Sequence, residues 1–215
     1  MHPVGHGERS GLPIEPMVSK QWFVNVTNMA KAAVEAVEKG DMKFLPKEWE
    51  NTYFSWLREP KDWCISRQLW WGHQIPVFYC ESCNHQWASE TNETKCSKCN
   101  SDKIHQDPDV LDTWFSSGLW PMSTLGWPNA EAMKEKKFDT FFPTSVLITG
   151  YDIIFFWVAR MMMMSLQTQG KVPFADTYIH AIVRDKLGRK MSKSLGNGID
   201  PIDMIDQYGT DEIGR

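Results

Sequence analysis

The chain has 215 residues, of which 42% are hydrophobic and 13% aromatic, and its formal net charge is −4. This composition supports a sizeable folded core and excludes wholesale disorder. The acidic balance argues against a protein that coats nucleic acid through bulk charge, although it is compatible with a local basic patch. No apolar run is long enough for a bilayer, and the N-terminal residues lack the apolar core of a signal peptide, so we expect a cytoplasmic protein.

The first predicted elements follow a polar segment, residues 1–20, whose glycines and prolines are typical of a linker or entry segment. Residues 28–39 are rich in alanine, glutamate and lysine with apolar side chains at helical spacing, and Gly40 is a typical helix stop. A second helix is predicted over 47–57. The apolar run at 75–79 then predicts a strand.

Residues 80–106 differ from their surroundings, because they are polar and hold four of the five cysteines. The main domain is expected to resume at residue 107 with a strand-like run over 109–115. A charged helix is predicted near 131–137, and a short buried strand over 146–150.

The C-terminal third predicts a helix over 151–167, a strand over 178–183 and a short helix near 201–209. Strand, helix, strand, loop and helix in this order indicate a parallel α/β sheet. Ligands of such sheets gather at the carboxyl ends of the strands. The residues after the two strands, Gly150–Asp152 and the basic loop 184–193, are therefore candidate site residues.

The cysteines carry the strongest local signal, since the pattern C-x2-C-x12-C-x2-C has the spacing of a four-cysteine zinc site. The predicted ligands are Cys80, Cys83, Cys96 and Cys99. Four thiolates leave no open coordination position, so the zinc would be structural and would supply folding energy. The alternative is four incidental thiols. Cys64 stands apart and is expected to be a small core residue.

The loop after the last predicted strand concentrates positive charge against a single acid, Asp185. Its basic residues are Arg184, Lys186, Arg189, Lys190 and Lys193. Composition alone leaves two interpretations open, a solvated hairpin and a mobile loop that neutralises a polyphosphate.

The pentapeptide KMSKS at 190–194, preceded by DKLGR and followed by LGN, resembles the second signature of the class I aminoacyl-tRNA synthetases. Four further motifs resemble the valine-specific branch of that family in order and spacing. They are SKQWF at 19–23, DWCISRQLWWGHQIP at 62–76, DPDVLDTWFSSGLWP at 107–121 and LITGYDIIFFWVARM at 147–161. The resemblance extends from residue 4 to residue 209. It implies an α/β fold, the second half of a parallel, Rossmann-like nucleotide-binding domain with a small zinc-ribbon insertion.

The resemblance also implies a division of the chain into four parts. Residues 1–20 correspond to the entry segment after an editing domain, 21–79 to the first part of the catalytic domain, 80–106 to the zinc ribbon and 107–215 to the second part with the KMSKS loop. The family's first signature, His-Ile-Gly-His or a variant, is missing, because HPVGH at 2–6 is preceded by no apolar strand. We therefore expect a fragment with half of the ATP site and little independent aminoacylation.

The chemistry that the family implies is ATP-dependent activation of valine, with Mg²⁺ bound to ATP, and transfer of the valyl group to tRNA(Val). By resemblance, Lys190 and Lys193 are catalytic and stabilise charge on the leaving pyrophosphate. The residues implied in ATP binding are Lys190, Met191, Ser192, Lys193, Ser194 and His180. For His180, a hydrogen-bonded, half-buried histidine without a ligand is an equal alternative.

The resemblance places Asp152 against the substrate ammonium, with Ile153 and Trp114 as walls for the aliphatic side chain. Ordinary core packing is the alternative for the two apolar residues. The isoleucine enzyme typically has glutamine at the position of Ile153, so this residue favours valine.

Two other functions stay open. The first is a non-catalytic module that binds RNA through its zinc ribbon and basic loop. The second is half of an isoleucine- or leucine-specific synthetase. For the valine-specific synthetase, the expected partners are ATP, valine, tRNA(Val) and the missing N-terminal half of the catalytic domain. The whole enzyme is expected to be a monomer that does not engage a membrane.

Overall fold

The computed structural model describes residues 3–7, 10–192 and 195–213. None of the helices in these residues is long and apolar enough to cross a membrane. The strands are β1 (Phe23–Val24), β2 (Lys43–Leu45), β3 (Trp63–Cys64), β4 (Ser66–Arg67), β5 (Val77–Cys80), β6 (Gln86–Ala88), β7 (Ile104–Gln106), β8 (Val110–Leu111), β9 (Thr144–Gly150) and β10 (Phe174–His180). The α-helices are α1 (Thr27–Lys39), α2 (Trp49–Leu57), α3 (Thr113–Ser117), α4 (Trp120–Ser123), α5 (Ala130–Glu135), α6 (Phe138–Phe141), α7 (Ala159–Gln169), α8 (Pro201–Tyr208) and α9 (Thr210–Ile213).

The chain forms two units, each built from two separate stretches of sequence. The first unit contains Met1–Asn28 and Pro60–Ser117, and the second contains Met29–Glu59 and Gly118–Arg215. Antiparallel pairs occur in the first unit, as the ribbons β1–β3 and β4–β8 and the three-stranded sheet β6–β5–β7. The second unit has a three-stranded parallel sheet in the order β2–β10–β9. The predicted parallel sheet is thus confirmed in the second unit.

Helix α1 confirms the first predicted helix and shows why the sequence forms it. Its apolar residues Ala30, Ala33 and Val37 are spaced by one or two turns and are buried. The chain leaves the helix at Gly40, whose φ of 81° is left-handed and suits glycine. The hydroxyl of Tyr53 on α2 donates to the backbone oxygen of Ala33 at 3.2 Å, which ties the two helices together.

The parallel sheet is buried on one face only. Side chains alternate along its strands, so that Phe44, Leu147 and Thr177 are buried. Their neighbours on the opposite face are aligned across the three strands, since Tyr178 is in register with both Leu45 and Ile148. These three are 52%, 44% and 65% exposed. The strand predicted to be buried over 146–150 is therefore buried on one face and exposed on the other.

The strand predicted over 109–115 is also wrong in its second half. Strand β8 ends at Leu111, and α3 begins two residues later. Asp112 makes the change of direction, because its side chain accepts the backbone N–H of Trp114 at 3.4 Å and its backbone oxygen accepts that of Phe115 at 2.8 Å. A carboxylate at this position favours the start of a helix over the continuation of a strand.

The long predicted helix over 151–167 is divided into three parts. It opens with a 3₁₀ turn at Tyr151–Ile153, continues as a π-helical stretch at Ile154–Val158 and becomes α-helical as α7. Such π-helical stretches are rare and often occur at functional sites. The last predicted strand, 178–183, is displaced, because β10 ends at His180.

A hydrogen-bonded carboxylate organises the first unit. Asp107 Oδ2 accepts the indole N–H of Trp22 at 2.8 Å and the hydroxyl of Tyr79 at 2.7 Å, and Oδ1 accepts the backbone N–H of Asp109 at 2.9 Å. Although burial opposes ionisation, these donors lower the pKa of Asp107. Burial, followed by the hydrogen bond to Asp107, raises the pKa of Tyr79 to about 12.

Replacing this carboxylate in Asp107→Asn is expected to destabilise the chain by about 1–3 kcal/mol at pH 7, because the amide turns a donor toward other donors. A lowered folded-state pKa means that the stabilisation is fully present above about pH 4 and is lost as the pH falls through the folded-state value. Urea unfolding at several pH values should show the wild-type advantage shrinking in acid. Asp102→Asn, at an exposed position, is the control; an advantage that grew in acid would contradict the prediction.

Candidate active site and metal centre

The two cysteine pairs fold as matching turns in the first unit. The backbone N–H of Asn84 donates to the oxygen of Cys80 at 2.9 Å, and that of Asn100 donates to the oxygen of Cys96 at 2.9 Å. Both asparagines have left-handed φ angles, 54° and 59°, a conformation that asparagine tolerates better than most residues. Each C-x-x-C pair is therefore followed by the residue type that closes its turn.

These turns bring four sulfur atoms together. The ligand atoms of Cys80, Cys83, Cys96 and Cys99 all lie within 4.8 Å of one another. The Sγ atoms of Cys80 and Cys99 are 3.6 Å apart and those of Cys83 and Cys96 are 3.7 Å apart. Sulfurs at 2.3 Å from a tetrahedral zinc ion are separated by about 3.8 Å, whereas a disulfide needs about 2.05 Å. The four residues thus fit a closed metal site, and their proximity favours metal ligation over four incidental thiols.

The second candidate site lies where the parallel strands of the second unit end. Gly150 is the last residue of β9 and is in register with His180, the last residue of β10. Asp152 therefore follows one strand and the basic loop follows its neighbour, as the sequence predicts. A Cβ at position 150 would lie 2.8 Å from both Asp152 Oδ1 and Ile182 Cδ1, so a larger residue there would require these side chains to move.

An ion pair joins these two strand ends. Lys190 Nζ donates to Asp152 Oδ2 at 2.5 Å, with the lysine side chain 57% exposed and the aspartate side chain 32% exposed. The hydrogen bond and the charge of Asp152 raise the pKa of Lys190. The carboxylate predicted to face a substrate ammonium thus already binds an alkylammonium group of the chain itself.

The loop that carries Lys190 is closed by side chains. The guanidinium of Arg184 donates to the backbone oxygen of Gly188 at 2.8 Å and to the hydroxyl of Tyr151 at 3.2 Å. Asp185 and Asn197 are hydrogen-bonded to each other at 2.9 Å. These side-chain hydrogen bonds give the basic segment a defined internal structure, although most of its residues are exposed.

The other residues predicted to bind ATP differ in how far they are exposed to solvent. His180 is exposed, and its Nδ1 is 2.8 Å from the backbone oxygen of Ala181. Met191 and Ser192 are half-buried. Lys193 and Ser194 lie outside the described residues.

The predicted apolar walls belong to different units. Ile153 is half-buried in the 3₁₀ turn after β9, next to Asp152 in the second unit. Trp114 is half-buried on α3 in the first unit. Their roles as walls of an amino-acid pocket stay predictions.

Two polar residues at this site, Asp185 and Asn197, were not predicted from the sequence. In the sequence, Asp185 is the single acid among basic neighbours, and Asn197 is part of the LGN that follows KMSKS. A signal was present, since an acid inside a basic loop and an asparagine beside a glycine are residues that hydrogen-bond to nearby backbone.

The fold and this pair of strand ends define the class of protein. A family model described as tRNA synthetases class I (I, L, M and V) matches residues 13–214. The chain therefore belongs to the class I tRNA synthetase family, and the family resemblance of the KMSKS segment is confirmed.

Among individual proteins, the chain is similar to valine–tRNA ligases. It is 58% identical to that of Bdellovibrio bacteriovorus, over 99% of this chain and 23% of the relative. The ligase of Treponema denticola is 59% identical over 99% and 23%, and that of Thermotoga maritima 56% over 99% and 24%. The chain thus spans about a quarter of the length of the curated relatives it matches.

Solved structures support the fold independently. A methionyl-tRNA synthetase of Mycobacterium tuberculosis, in complex with methionyl-adenylate, superposes with a TM-score of 0.67 at 20% identity, covering 98% of this chain and 35% of that protein. At this identity the likeness shows the fold alone. It confirms the class I synthetase catalytic fold for the chain.

Proposed function

We propose that the chain carries the second half of the catalytic centre of a valine–tRNA ligase. In that reaction a carboxylate oxygen of valine attacks the α-phosphorus of ATP, and the bond to pyrophosphate breaks to give valyl-adenylate. A terminal ribose hydroxyl of tRNA(Val) then attacks the acyl carbon, and AMP leaves. Family membership and the identity with valine–tRNA ligases support this assignment.

The observation that carries the proposal is the ion pair between Asp152 and Lys190. A carboxylate at the end of a parallel strand that binds a lysine ammonium is chemically suited to bind the ammonium of an amino acid. Ile153 follows Asp152 directly and would contact the valine side chain. An apolar wall of this kind separates substrates that differ by one methylene by only about 1–3 kcal/mol.

The same ion pair implies an exchange of partners during the reaction. Valine's ammonium would replace Lys190 at Asp152, and the released Nζ would turn to the phosphates of ATP. There Lys190, with Lys193, would neutralise the charge that builds up on the leaving pyrophosphate. Mg²⁺ bound with ATP would add positive charge at the same phosphates. His180, Met191, Ser192 and Ser194 are the further residues proposed to line the ATP site.

The zinc site is proposed to be structural. Four cysteine sulfurs would occupy all four corners of a tetrahedral site, which leaves no position for a reacting water. Zn²⁺ is therefore assigned to holding residues 80–106 in shape, while valine activation is assigned to the strand ends of the second unit.

The open face of the parallel sheet supports a partner for this half-site. Parallel sheets are normally covered on both faces, yet Leu45, Ile148 and Tyr178 are exposed. The partner proposed to cover them is the first half of the catalytic domain, which carries the other ATP signature. The complete enzyme is proposed to be a cytoplasmic monomer.

Reconstitution tests the proposal. The 215-residue chain would be assayed for ATP–pyrophosphate exchange, alone and mixed with the catalytic segment preceding the matched region of the Bdellovibrio bacteriovorus valine–tRNA ligase. We expect background exchange from the chain alone, because it lacks the first signature, and valine-dependent exchange from the mixture. Isoleucine and leucine, each replacing valine, are the controls for amino-acid identity.

The alternatives give different results in the same assay. Exchange that depends on isoleucine or leucine would assign the chain to another member of the family. No exchange from the mixture, together with saturable binding of tRNA by the chain alone, would support the non-catalytic RNA-binding module and overturn the proposed reaction.

A further inference from the structure

We propose that Asn197 and Asp185 are positioning residues for Lys190, and that together they form a hydrogen-bonded brace across the lysine loop. This inference rests on the proposed function, because only there does Lys190 have a catalytic task. Both residues would act through the loop backbone and not through contact with a substrate.

Asn197 joins two points of the loop that lie five and seven residues before it. Its Oδ1 accepts the backbone N–H of Ser192 at 2.9 Å, and its Nδ2 donates to the backbone oxygen of Lys190 at 3.3 Å. The same Nδ2 donates to Asp185 Oδ2 at 2.9 Å. A carboxamide has one acceptor oxygen and two donor hydrogens, and this site uses all three. Neither aspartate nor alanine can reproduce that set.

Asp185 holds the opposite side of the brace. Its Oδ1 accepts the backbone N–H groups of Leu187 and Arg189, both at 2.9 Å. Its Oδ2 accepts the guanidinium Nε of Arg189 at 2.9 Å in addition to the amide of Asn197. The carboxylate side chain is only 9% exposed. These donors, Asn197 foremost, lower the pKa of Asp185, so the brace is charged and fully bonded at neutral pH.

Lys190 is the residue on which both sides act. Its backbone pairs with Arg184 across the loop, and its carbonyl is bound by Asn197. A lysine side chain has many rotamers, so a fixed backbone is what limits the region its Nζ can reach. Because a displacement of about 1 Å in a catalytic group costs about 10²-fold in rate, the brace should contribute to catalysis without touching a reactant.

An exchange of the two side chains tests the brace. In Asp185→Asn, the one amide oxygen is needed by the backbone N–H groups of Leu187 and Arg189, so the new NH2 group faces the NH2 group of Asn197. Asn197→Asp places two carboxylates against each other, so each single variant breaks the bond between the two side chains. The double variant restores one donor and one acceptor across the same gap. In the reconstituted enzyme we expect each single variant to lower kcat of valine-dependent exchange about tenfold, with KM for valine changed less than about twofold. The double variant should recover only part of the loss, because the carboxylate introduced at 197 cannot donate to the backbone oxygen of Lys190.

A second readout does not depend on activity. Trypsin should cleave after Lys190 faster in each single variant than in the unmodified chain, and the double variant should be cleaved more slowly than either single variant. Gln207→Glu, which makes the same amide-to-acid change at an exposed position of α8, should behave as the unmodified chain in both assays.

The outcomes separate this inference from the proposed function. Absence of exchange in the unmodified reconstituted enzyme would overturn both proposals. If the unmodified enzyme shows normal exchange, two results would overturn the brace alone. One is full activity of both single variants, and the other is a double variant whose kcat does not exceed that of the less active single variant. A rise in KM for valine at constant kcat would also contradict it, because that pattern indicates a binding role.

Discussion

Lys190→Ala in the reconstituted enzyme is expected to lower kcat of valine-dependent ATP–pyrophosphate exchange by about 10²–10³-fold. Alanine removes the cation that would stabilise charge on the leaving pyrophosphate, and no other described side chain binds Asp152 in its place. Steady-state exchange kinetics at varied valine and ATP concentrations measure the effect. A reduction smaller than about threefold would assign Lys190 to structure and not to catalysis.

The effect on KM distinguishes this role from a general loss of structure. In the structure Lys190 binds the carboxylate of Asp152, which valine's ammonium would bind. Removal of the lysine side chain should therefore leave KM for valine unchanged or lower it. Asp152→Asn should give the opposite pattern, a raised KM for valine, because the neutral amide lacks the charge that attracts the ammonium. Lys186→Ala is the matched control, since Lys186 is an exposed lysine of the same loop. A raised KM for valine in Lys190→Ala would contradict the exchange of partners at Asp152.

Local patterns predicted the elements whose stability is local. Helix α1 follows from alanine-rich periodicity and from Gly40, and both can be read without knowledge of the fold. Strand β2 is a three-residue segment whose pairing partner, β10, lies more than a hundred residues away, so no local pattern marks it. The prediction of a strand over 109–115 was wrong because residues with high strand propensity continue past Asp112, where side-chain hydrogen bonding changes the backbone.

The candidate sites differ in the same way. The cysteine cluster was predictable, because the spacing within each pair fixes a turn and metal chemistry needs four thiolates. The pairing of Lys190 with Asp152 was not, since it depends on two neighbouring strands ending at the same level. The brace could not be predicted either, because Asn197 is important through backbone groups of Ser192 and Lys190 that only the folded loop brings to it.

The metal centre gives the second large expected effect. Cys96→Ser should reduce the zinc content of the purified chain from one ion per chain to nearly none. Metal binding supplies about 10–16 kcal/mol of folding free energy in small zinc domains, and the polar segment 80–106 has few apolar side chains to compensate for its loss. Loss of one thiolate should therefore unfold this segment. Elemental analysis measures the zinc, and proteolysis within 80–106 measures the unfolding.

Cys64→Ser is the matched control for this prediction, because Cys64 is the remaining cysteine and lies outside the four-sulfur cluster. It should retain one zinc ion and resist proteolysis within residues 80–106. The parallel sheet of the second unit should be unaffected by either variant, since the cluster and the sheet belong to different units. Zinc retained by Cys96→Ser, or lost by Cys64→Ser, would contradict the assignment of the ligands. An unmodified chain that folds without bound metal would show that the four thiols are held together by the protein alone.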